Sequence, residues 1–63
     1  MLKITIAAAR VNKGLKQGEV AKQIDVAVST LRNWEKGKTF PSAAQFTKLC
    51  ELYGVTPDDI FLG

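Results

Sequence analysis

The sequence predicts an all-α fold of five short helices, on three observations. Apolar residues recur at the three- and four-residue spacing of a helix and nowhere alternate long enough to suggest a strand. Gly14, Gly37, Gly54 and Gly63 fall where those patterns run out, the place where a left-handed residue ends a helix. Helix-start signatures precede the last two patterns.

The first pattern, at residues 5–13, sets Ile6, Ala9 and Ala7 to one side and Arg10 and Lys13 to another. Its run Ala7-Ala8-Ala9 has high helix propensity and admits a close neighbour. The second, at residues 17–24, has a narrow stripe of Val20, Ala21 and Ile24. The third, at residues 28–36, turns Leu31 and Trp34 inward. In the fourth, Ser42-Ala43-Ala44-Gln45 reads as a capping box, followed by Phe46, Leu49, Cys50 and Tyr53 on one face. The fifth opens on Thr56-Pro57-Asp58-Asp59, a capping hydroxyl, a proline suited to the first turn and two acids against the helix dipole. Ile60, Phe61 and Leu62 complete it.

With 63 residues, the chain has room for one domain, read as residues 1–63, and for no deep cleft. One Cys and no His exclude an internal disulfide and a zinc site, so neither metal nor cofactor is implied. Cys50, on an apolar face, reads as a packed thiol. No apolar run approaches the roughly 20 residues of a membrane span, and the start at Met1 shows no secretory pattern, so a cytoplasmic protein is expected. The net charge of +3 is unevenly placed. Residues 1–40 hold eight bases and three acids, net +5, and residues 41–63 one base and three acids, net −2. A basic end of this kind suits a polyanionic partner, and it also suits merely solvated helix faces. No nucleophile stands with a base and no glycine loop cradles phosphate, so an enzyme is not expected. Asp58 and Asp59 read as cap residues rather than an acid–base pair.

The second and third patterns are joined by only Asp25-Val26-Ala27. Two short helices on so brief a turn form a helix-turn-helix unit, here about residues 17–36. Ala21 suits the close crossing, Asp25 tolerates left-handed dihedrals, and Val26 plugs the corner. Packed helical hairpins with no nucleic-acid role share this spacing.

The chain resembles the phage repressor and Cro-type helix-turn-helix family over most of its length. The resemblance lies in residues 10–21 (RVNKGLKQGEVA), Val26, Ser29-Thr30-Leu31, residues 34–38 (WEKGK), Pro41-Ser42 and residues 54–57 (GVTP). It implies a compact five-helix, lambda-repressor-like domain whose second and third helices bind double-stranded DNA, commonly as a dimer on a palindromic operator. It implies base contacts from Ala27, Val28, Ser29, Arg32 and Asn33, which share one face. Gln17, at the start of helix two, matches the family's phosphate grip, and Lys36, Lys38 and Thr39 would meet further phosphates. Arg10 and Glu35 match a structural pair joining helix one to the end of helix three. The chain departs from the family pattern at Lys16, Asp25 and Ala27, where a Ser or Thr cap, a turn glycine and a polar cap are usual.

Asparagine pairs with adenine, arginine with guanine, serine with either, and alanine or valine touches a thymine methyl. As plain alternatives, Arg32, Asn33 and Lys38 are solvated polar positions, and Trp34 is core. The function expected is sequence-specific DNA binding by a bacterial or phage-encoded regulator, a repressor or Cro-like protein. The alternatives are a protein-interaction module on the same fold, toward which Ala27-Val28 points, and an antitoxin- or controller-type regulator. A homodimer is expected, in solution or only on DNA, through Phe40, Pro41, Leu52, Phe61 or Leu62.

Overall fold

A computed structural model describes residues 3–61 of the chain. In order come β1 (Ile4–Thr5), α1 (Ile6–Asn12), α2 (Gln17–Gln23), α3 (Val28–Glu35), α4 (Ala43–Tyr53), a 3-10 turn (Pro57–Asp59) and β2 (Ile60–Phe61). The start signals differ in strength. Thr5 accepts a hydrogen bond from the Ala8 amide at 3.1 Å and opens α1. At α4 the Ser42 hydroxyl accepts from the Gln45 amide at 3.2 Å while Gln45 accepts from the Ser42 amide at 2.9 Å, the reciprocal box expected. Before α2, Lys16 offers no acceptor, and Glu19 reaches back to its amide at 3.0 Å. Ala27, before α3, has no side-chain bond at all.

All four helices close in the same way. A residue at positive φ follows the last turn, and the amide after it bonds back five residues. The pairs are Leu15 to Arg10 at 3.2 Å, Val26 to Ala21 at 2.9 Å, Lys38 to Asn33 at 3.0 Å and Val55 to Cys50 at 3.0 Å. Three of the left-handed positions are glycine, and the fourth is Asp25 at φ 59°.

The expected fifth helix is corrected. Among the described residues there are four α-helices, and the last segment makes a single 3-10 turn before its chain extends. Ile60 pairs in parallel with Ile4 and Phe61 with Thr5. Pro57 and the two acids start a turn as anticipated. A few residues of helix cannot offset the entropy of nucleation, and the branched and aromatic side chains of Ile60 and Phe61 suit extended backbone. The strand pairing also puts Ile60 in the core. Thr56 likewise differs from expectation: its amide and hydroxyl both donate to Asp59 Oδ2 at 3.0 Å, so the acid is the acceptor. Those two bonds hold the Asp59 carboxyl below its ordinary range. Leu62 and Gly63 lie outside the described residues.

The core gathers Ile6 and Ala9 from α1, Val20 and Ala21 from α2, Leu31 and Trp34 from α3, and Leu49, Cys50 and Tyr53 from α4, with Ile24 and Ile60. Ala7, grouped with Ile6 and Ala9 by spacing, is only half-buried. Val20 and Leu31 are wholly enclosed, which holds α2 and α3 against the other helices.

Candidate nucleic-acid interface

The geometry of the α2–α3 unit starts at its turn. Asp25 reverses the chain, and its amide bonds to the Lys22 carbonyl at 3.3 Å. Val26 then packs against the core at the corner, and Ala21, almost fully buried, lets the helices approach. Ala27 returns the chain to extended dihedrals, from which α3 begins.

Successive residues of a helix advance by about 100°, so burying Leu31 and Trp34 turns the opposite side of α3 outward. That side carries Ser29 at its centre, with Arg32 and Lys36 to one flank and Asn33 to the other. Ser29, Arg32 and Lys36 are exposed and Asn33 is half-buried. Val28, one turn before Arg32, and Ala27 are exposed at the leading end. The five proposed base-contact residues thus lie together. Lys38 and Thr39 are exposed in the segment after α3.

A polar network holds α3 from behind. Arg10 Nε donates to Glu35 Oε2 at 2.8 Å and Nη2 to Oε1 at 3.4 Å, while Nη1 donates to the Leu15 carbonyl at 2.9 Å. The two side chains are 15% and 7% exposed, so the pair is largely removed from solvent screening. The Glu35 bond raises the already high pKa of Arg10. Gln17 Nε2 also donates to Glu35 Oε1, at 2.9 Å. One carboxylate therefore joins α1, the start of α2 and the end of α3. The Tyr53 hydroxyl from α4 is buried without a hydrogen-bond partner, and burial, with the Glu35 charge, pushes its pKa up to about 12.

A family model described as Helix-turn-helix matches residues 6–60. The chain belongs to the helix-turn-helix family. Its repressor and Cro-type members are the resemblance that the sequence carries, and at the level of the family it is a DNA-binding transcription regulator. Searches of the curated proteins and of the solved structures found no match. No helix among the described residues is long and apolar enough to cross a membrane.

Two features of this helix-turn-helix chain escape sequence reading. The Gln17 amide, assigned to phosphate, has one of its two hydrogens on Glu35. Tyr53 reads as an apolar-face residue, yet its hydroxyl ends near the Arg10–Glu35 charges. The residues concerned are 18 or more positions apart, so no local pattern announces them. Not all of the basic excess is free to meet a partner. Arg10 is paired internally, whereas Lys13 is exposed with its Nζ 3.6 Å from where a Cβ on Gly54 would sit, at the negative end of α4.

Proposed function

We propose that the protein is a transcriptional repressor or Cro-like regulator that lays α3 in the major groove of a specific DNA sequence. The observation that carries this reading is the division of labour around α3. Its outer face collects Val28, Ser29, Arg32 and Asn33, and its inner end is held by Glu35 to Arg10 and Gln17. A helix held still loses little freedom when its side chains meet base edges. In this reading Arg32 pairs with guanine, Asn33 with adenine, and Ser29 with either.

Lys36, Lys38 and Thr39 meet phosphates on one side of the groove. Gln17, steered by Glu35, offers its second amide hydrogen to a phosphate on the other side. Residues 1–63 act as one DNA-binding domain in the cytoplasm, and two copies bind a palindromic operator. Phe40 at 60% and Phe61 at 54% exposure, with half-buried Pro41, supply the apolar surface for that pairing. Leu52 is likewise half-buried, packed on one side against the core.

The test is a selection from random duplexes at two salt concentrations. An enriched two-fold symmetric sequence is expected. Its affinity should fall with salt at a slope of about −0.9 per neutralised phosphate. Recovery of no enriched sequence overturns the reading.

A further inference from the structure

The leading end of α3 carries a surface that helix formation does not ask for. Val26, Ala27 and Val28 are three consecutive apolar residues with different fates. Val26 packs against the core, whereas Ala27 and Val28 face outward, Val28 at 37% exposure. Ala27 occupies a cap position where Ser, Thr, Asp or Asn would stabilise the helix start, and no side chain replaces that bond. Capping therefore does not explain Ala27, and Val28 leaves over a third of its surface to solvent.

The surroundings say what would cover them. Arg32 lies one turn from Val28 on the same side and Lys36 one turn further, both exposed. The acids of this stretch are Asp25, at the turn, and Glu35, whose carboxylate is held by Arg10 and Gln17. A hydrophobic protein surface laid here would strip water from Arg32 and Lys36 without replacing it. A polyanion bearing apolar groups of its own suits both parts of the surface. On the base edges of the major groove that group is the C5 methyl of thymine. Val28, branched at Cβ and nearly fixed in χ1 on a helix, meets such a methyl with little loss of side-chain freedom.

We infer that Ala27 and Val28 form a methyl-reading contact, so that each half-site has thymine beside the base pair read by Arg32. The inference rests on the DNA-reading function proposed above and adds the base that the apolar end of α3 selects. It is tested on the operator recovered by selection, with each thymine replaced in turn by uracil, which lacks only the methyl. Binding should weaken about fourfold per methyl at one or two neighbouring positions of each half-site, and remain within twofold elsewhere. In Val28→Ser and in Val28→Asn, neither of which carries a methyl group, the thymine–uracil difference should shrink below twofold at the position that Val28 reads.

An operator without thymine at those positions overturns the inference. So does a fully uracil-substituted operator that binds within twofold of its parent. The same holds for an undiminished thymine–uracil difference in both variants, which would trace the effect to DNA shape. Failure of the selection removes the DNA-reading function itself, so the two failures are distinct.

Discussion

Helices α3 and α4 lie side by side in the sequence and are specified in different ways. α4 has a reciprocal Ser42–Gln45 box at its start and Gly54 at its end, and three apolar residues buried along one face. α3 starts on an uncapped alanine, follows a turn that forces a non-glycine residue to φ 59°, and ends on a carboxylate tied to two other helices. The bracing helix is stabilised by its own sequence, and the helix that faces outward is held by its neighbours. A face free of local stabilising duties can be chosen for what it touches.

The largest test of this difference removes the distant support of α3. Glu35→Ala leaves Arg10 unpaired in a largely buried site and deprives Gln17 of its acceptor. We expect a loss of about 3 kcal/mol in denaturant unfolding, and a smaller one for Glu35→Gln. A loss under about 1 kcal/mol would mean that the network does not hold the helix.

Next in size is the outer face. Asn33→Ala should weaken the selected operator by about 1–3 kcal/mol while leaving random DNA almost unaffected. Lys38→Ala should instead weaken both alike and lower the salt slope by about one. Equal losses on the two DNAs for Asn33→Ala would remove it from the reading face.

Cap changes should act in opposite directions on the two helices. Ser42→Ala should cost about 1 kcal/mol, whereas Ala27→Ser, supplying the missing cap, should add roughly 0.5–1 kcal/mol. Asp25→Gly relieves the left-handed strain at the turn and should also raise the melting temperature. No gain from either α3 change would show that the turn is already relaxed by its tertiary contacts.

The smallest effect is one of pH. Tyr53 titrates near 12 in the folded chain and near 10 when unfolded, so the unfolded state loses this proton first. Its contribution is present below pH 10 and declines between pH 10 and 12. The Cys50 thiol, raised by burial, adds a decline that begins lower, above its ordinary pKa of 9.0. Tyr53→Phe should flatten the upper part of the unfolding profile measured against pH. With no partner for the hydroxyl, that substitution should not destabilise the protein at neutral pH.

The four α-helices were legible because their signals are local. Gly14, Gly37 and Gly54 mark left-handed ends, Ser42 and Gln45 face each other across one turn, and Asp25 falls where a three-residue connection leaves little choice. The face of α3 was legible for the same reason, since burying Leu31 and Trp34 decides what is left outside. The end of the chain was not. Thr56-Pro57-Asp58-Asp59 carries sound start signals, but a start needs enough residues after it, and those residues found a strand partner 56 positions away.

The sequence by itself determined where the four helices end and which residues α3 turns outward, because left-handed end residues and helical periodicity act within a few residues. Only the tertiary structure decided that Ile60 and Phe61 extend beside Ile4 and Thr5. It also decided that Gln17 shares Glu35 with Arg10, and that the Tyr53 hydroxyl is buried near that pair. Each of these is a contact between residues far apart in the chain. Its free energy exists only once the core has brought them together.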